Sequence, residues 1–233
     1  MINKLSKKLI LLKTFFISFS ALSLIVAIMF GLAIAYYPGG NIKNVNKEGY
    51  SIIWNAMCDL GFDTSVSGEI NRISQIFFRT GLTLMSIIGI IYFSLMWIFF
   101  QERKSTKILS IIGSVLGVIQ GGIFIGVAFT HGDIHMTLLT IAPLMEFFAV
   151  LPYTVVFMKD ERVPGLSSYT FLVMFSSAIL YAIVVLIGQI IKGDFFLISR
   201  NGMHTIFNFL ILLGYTIIGI GTYLFMKNLE TKS

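Results

Sequence analysis

One cysteine, four prolines, three histidines and a 12% share of charged residues are the scarcities of this 233-residue chain. Cys58 alone excludes an intrachain disulfide framework and any cysteine-based zinc knuckle. Soluble domains carry roughly 25% charged residues. Half that share, with 56% hydrophobic residues and a mean hydropathy of +0.88, leaves an integral membrane protein as the class. Several motifs are missing as well. There is no HExxH run, no Gly-x-Ser-x-Gly elbow and no glycine-rich loop ending in lysine. Those absences exclude a zincin-type site, an elbow-borne serine nucleophile and a phosphate-cradling loop. No internal repeat supports an inverted-repeat transporter. The net charge of +6 does not point to nucleic acid, because the basic residues sit at the ends of apolar runs, where topology and anionic lipid headgroups account for them.

What the chain has in abundance is long apolar sequence. Crossing about 30 Å of hydrocarbon as helix takes roughly 20 apolar residues. Six runs qualify: 14–36, 76–100, 108–130, 136–158, 169–191 and 203–226. They lack the alternation of barrel strands and are too long for them. The fold class expected is all-α, a single six-helix transmembrane domain over residues 1–233. The first run resembles a signal peptide, with Lys4, Lys7 and Lys8 ahead of it. Its apolar stretch exceeds the roughly 7–15 residues of a signal core, so an uncleaved anchor is expected. Gly113, Gly117 and Gly121 recur at four-residue spacing in the third run, the mark of close helix packing. Pro143 and Pro152 should bend the fourth.

The stretch between the first two runs is the longest loop. In "EGYSIIWNAMCDLGFD", Ile53, Met57 and Leu60 fall at helical spacing, and Asn55 and Asp59 share another face. A short interfacial helix is expected there, with "SGEIN" capping the helix that follows and Arg72 and Arg79 on one side of it. "YYPGG", "GYSIIWNAMCDLG", "SGEIN" and "FFRTG" together resemble domain-of-unknown-function family 998, bacterial and archaeal membrane proteins. That resemblance implies six spans, a Tyr-Pro-Gly-Gly loop and a histidine opening the fourth span, and carries no established activity. More remotely, polar residues at helix ends resemble the alkaline ceramidase and adiponectin receptor superfamily. There an aspartate and three histidines, two of them spaced HxxxH, surround zinc; His131 and His135 match that spacing.

"THGDIHMT" interrupts some of the most apolar sequence in the chain. His131, His135 and His204 all fall at the same ends of their runs, level with Asp59. Three neutral imidazoles and an open fourth position are the catalytic zinc pattern, with Asp59 as general base for a bound water. On that reading Asn55, Arg72, Arg79 and Asn208 bind substrate, and the protein is a metal-dependent lipid hydrolase. Equally, histidines sit cheaply at membrane interfaces without a metal. Glu146 stands eleven residues after His135, on nearly the same helical face. A carboxylate facing lipid at that depth costs ~2.5–3.5 kcal/mol or more, so Glu146 should be protonated or face a polar interior. It is either catalytic, or part of a lipid-binding or proton-coupled transport bundle, or a satisfied structural carboxyl. Membrane lipids are the partners this composition implies, and oligomeric state is not legible.

Topology is testable directly. Eleven basic residues (Lys4, Lys7, Lys8, Lys13, Arg103, Lys104, Lys107, Lys159, Arg162, Lys227 and Lys232) fall on one side, and Lys43, Lys47, Arg72, Arg79, Lys192 and Arg200 on the other. The positive-inside rule places both termini in the cytoplasm. Reporter fusions should therefore read cytoplasmic at Ser105 and Pro164 and external at Asn44; the reverse pattern inverts the assignment.

Overall fold

The computed structural model describes the backbone of residues 2–161, 163, 165–190 and 194–231. Side chains are described outside 1–12, 143, 162, 164, 182, 185–186, 188–204, 225 and 228–233. Six long helices follow one another: α1 (Ile2–Ala35), α2 (Arg72–Met96), α3 (Lys104–Phe129), α4 (Gly132–Lys159), α5 (Gly165–Ile190) and α6 (Asp194–Thr231). No strand forms among the described residues, only isolated bridges Gly39 to Glu48 and Thr64 to Ile70. Among the described residues, five stretches are long and apolar enough to cross a membrane: Lys13–Ala35, Arg72–Phe99, Lys104–Phe129, Gly132–Lys159 and Thr205–Leu224. The described apolar part of α5, Gly165–Tyr181, is shorter than these.

Each helix packs on its neighbours in sequence, and α6 returns to α1, so the helices close a ring. From α2 onward short connections favour this arrangement, because consecutive helices joined by tight turns pack side by side, whereas the long loop 36–71 joins α1 to α2. The outer surface of the ring is apolar. Ile28, Ile76, Ile119 and Leu213 face outward and are exposed, as a lipid-bathed surface requires. Inward, aromatic rings interlock: Phe19 stacks on Tyr92 at 4.6 Å, and Phe157 meets Phe171 edge-on at 4.5 Å.

The glycines of α3 set the spacing on its two flanks. A β-carbon on Gly113 would stand 2.7 Å from the Tyr153 ring of α4. One on Gly117 would collide with the Phe93 ring of α2, and one on Gly121 with Ile90. The seam expected from their spacing is therefore a double one, with α2 and α4 both seated against it. Ser114 fastens the same place, donating to the Phe93 carbonyl at 2.5 Å and meeting the Tyr153 hydroxyl at 2.7 Å.

The loop departs from expectation. Residues 51–61 form a turn and then a five-residue 3-10 helix, Met57–Gly61, in place of a longer amphipathic helix. Two side chains take the backbone groups that a helix would use: Asn55 Oδ1 accepts from Ser51 N, and Asp59 Oδ2 accepts from Ala56 N. Met57 and Leu60 are buried against the ring, while Ile53 is exposed. Asn71 does occupy the N-cap of α2, but its amide turns back to the loop.

Because Gly117 has Phe93 where its side chain would go, Gly117→Val should overpack the seam at ~1–3 kcal/mol. The expected result is a lower melting temperature in detergent, with Gly122→Val, which faces open space, close to wild type. Equal melting temperatures for the two variants would mean the seam is slack.

Candidate functional site

Three groups of polar side chains lie at the loop end of the ring or beneath it. The first organises the loop itself. Asn55 is fully buried, and its amide donates to Gly40 O at 2.9 Å and to Asp59 Oδ2 at 3.0 Å. Asn71 reaches the carbonyls of Asp59, Leu60 and Phe62 at 3.1–3.2 Å. Gly40 has φ +79, and a β-carbon there would strike the backbone of Ser67, so only glycine closes this turn. Tyr37 accepts from Val66 N at 3.0 Å, and Tyr50 meets Thr205 Oγ1 on α6 at 3.2 Å. Burial pushes the Tyr37 phenol up to about 12 and raises Tyr50 further. Asn55 and Asp59, expected to serve substrate and catalysis, thus hold the loop's own backbone in place.

The second group surrounds the histidines. Arg79 is a hub: its Nε donates to Gly61 O at 3.2 Å, and its Nη2 lies 3.1 Å from His131 Nε2 and 3.5 Å from Asp63 Oδ1. Gln75 also donates to Asp63. That bond first, and Arg79 after it, holds the exposed Asp63 carboxyl below its ordinary range. Arginine only donates, so His131 Nε2 accepts and the ring carries its proton on Nδ1. His135, 3% exposed, donates from Nδ1 to Val127 O at 3.1 Å. Its Nε2 is a buried lone pair without a hydrogen-bond partner. The Phe62 ring covers both imidazoles, at 6.1 and 5.5 Å. Arg72 is exposed.

The His135 imidazole has the form of a zinc ligand, oriented through its other nitrogen by a carbonyl. His131 does not, because a guanidinium occupies the lone pair a metal would need. As placed, the two do not fit one shared ion. His204 lies outside the described side chains. Among the described residues no three His, Cys, Asp or Glu stand close enough to hold a metal.

The third group is inside the ring. Glu146 is 1% exposed. Gln120 of α3 and Tyr215 of α6 are its polar neighbours. Glu146 Oε2 has no partner. Beside it is a cavity lined by Ser86, Gly117, Gln120, Gly121, Phe124 and Tyr215, among others. It has about 10 Å³ of room for the centre of a water-sized sphere. That is the lower limit for a single water and far below any lipid or solute. Ser86, Gln120 and Tyr215 are polar but uncharged, and α5 on the far side of α4 offers Phe175 stacked on Phe147. Asn208, also buried, lines a second small cavity nearer the loop.

No family model, curated protein or solved structure matches the chain.

Tyr215, Asn71 and Tyr37 were not among the residues the sequence singled out. Tyr215 lies seven residues after Asn208, and that helical repeat was the available signal. Asn71 and Tyr37 act through loop geometry, which has no periodicity to read. Both raised phenols contribute stability that is whole below the unfolded value near 10 and is lost as pH climbs through the folded values. The melting temperature should therefore fall above about pH 10. Tyr50→Phe should start lower, having lost Thr205, but decline less steeply. Parallel pH profiles would contradict this.

Proposed function

We propose that the chain is a six-span membrane protein that binds and passes protons at Glu146, a bundle for proton-coupled transport. The observation that carries this is the unpartnered, buried Glu146 Oε2 beside room for one water. A carboxyl that existed only to hold helices together would have both oxygens met, as most buried polar groups do. Gln120 borders the same cavity, and Oε2 is left for a water or a proton to meet.

Counting α5 gives six spans, which the resemblance to domain-of-unknown-function family 998 supports, and the distribution of Lys and Arg puts both termini in the cytoplasm of a cell membrane. The loop end then faces outward. A second reading, the metal-dependent lipid hydrolase, is favoured by the bare Nε2 of His135. It requires His131 to leave Arg79, and Asp59 to leave Asn55 and Ala56.

Proteoliposomes with a trapped pH dye separate the two. Under a potassium diffusion potential, wild-type protein should admit protons and Glu146→Gln should do so at least tenfold more slowly. Equal rates, or a wild type no faster than empty liposomes, would overturn the transport reading. Stoichiometric zinc after equilibrium dialysis, lost in His131→Gln, would favour the hydrolase instead.

A further inference from the structure

Two cavities lie in sequence along the interior seam of α3, α4 and α6. The one nearer the loop has about 20 Å³ of room for the centre of a water-sized sphere and is bordered by Cys58, Leu82, Val127, Leu139 and Asn208. The deeper one is the cavity at Glu146. Phe124 is the residue that borders both. Helical spacing explains why. Gln120, Phe124 and Val127 form one stripe of α3; His135, Leu139 and Glu146 form one stripe of α4; Asn208, Ile211 and Tyr215 form one stripe of α6. Gln120 is four residues below Phe124, about 6 Å along the axis, and Val127 three above, about 4.5 Å.

Unpartnered polar atoms stand at both ends of this seam, His135 Nε2 toward the loop and Glu146 Oε2 below. His135 is tied to Val127, and Val127 borders the upper cavity. The order from the loop inward is therefore His135, Asn208, the Phe124 ring, then Gln120 and Glu146. A seam built only for packing would be filled through, since interiors are close-packed and each void forfeits contacts. Here the space is left above and below a single ring, and polar groups border it on each side.

We infer that Phe124 is the gate of a half-channel from the loop end to Glu146, and that it sets what may reach that carboxyl: water and the hydrated proton, nothing larger. The inference rests on the proton-binding reading above. When the ring turns aside, water joins the two cavities. A hydronium ion then gives its proton to the Glu146 carboxylate and remains as water. When the ring returns, the carboxyl is closed off from the loop side.

The chain supplies its own reporter. Cys58 is its one cysteine and borders the upper cavity, on the loop side of the ring. Proteoliposomes with a trapped pH dye would be given a proton gradient from the loop side. Proton entry should be at least tenfold faster in Phe124→Ala than in wild type, with Phe124→Leu between them, and adding Glu146→Gln to either variant should remove the gain. The Cys58 rate with an impermeant maleimide should be the same in all three proteins, which also reports that the fold is kept. Unchanged proton entry in both variants would overturn the gate, as would a rise that survives Glu146→Gln or is matched by an equal rise at Cys58. If Phe124→Ala does not fold, Phe124→Leu alone decides. A failed gate leaves the flux defect of Glu146→Gln intact, whereas flux that survives Glu146→Gln removes the functional reading whatever Phe124 does.

Discussion

Lipid offers no hydrogen bond, so every polar group within the ring of helices has to be met from inside it. Most are met by the nearest means. Ser23, Ser86, Thr154, Thr216 and Thr222 each donate to the carbonyl four residues earlier on their own helix. Ser20 reaches across to α6 and donates to Thr216 O at 2.8 Å. Such bonds cost the helices little and leave few polar atoms over. Against that background five buried side-chain atoms among the described residues go unmet: Asn71 Oδ1, Tyr92 Oη, His135 Nε2, Glu146 Oε2 and Ser167 Oγ. Of these, His135 and Glu146 lie on one face of α4.

The glycines of α3 make the arrangement possible. With Gly113 and Gly117 bare, the rings of Tyr153 and Phe93 sit directly on the α3 backbone. This brings α2 and α4 close enough for Gln120 and Glu146 to border one cavity, and for Ser114 to join Phe93 and Tyr153. Side chains at those positions would hold the helices apart and flood or fill the space now left for one water. Packing and site are thus one feature. The same small residues that let helices approach also decide how much room remains at the carboxyl.

The loop end works by different physics. There the loop is held by buried amides together with the Asp59 carboxylate and the Arg79 guanidinium. Asn55 and Asn71 bind backbone carbonyls, and Tyr37 and Tyr50 link the loop to itself and to α6. Arg79 gathers Gly61, Asp63 and His131 at the edge. The loop is a built cover over the seam, which is why Met57 and Leu60 turn inward instead of lying on the leaflet.

Helix class, the positions of the apolar runs and the glycine seam were legible in the sequence, because each depends on composition or on a period of 3.6 residues. So was the shared face of His135 and Glu146, since both ride one helix. The helices begin before the apolar runs do, α2 at Arg72 instead of 76 and α6 at Asp194 instead of 203. Partnership between helices was not legible. Nothing in a linear pattern says that Gln120 faces Glu146 and Tyr215, that Arg79 takes the lone pair of His131, or that Asp59 spends its carboxylate on Asn55 and Ala56. Those choices depend on how far each helix is rotated against its neighbours, and only the packing of the α3 glycines against Phe93 and Tyr153 settles that rotation.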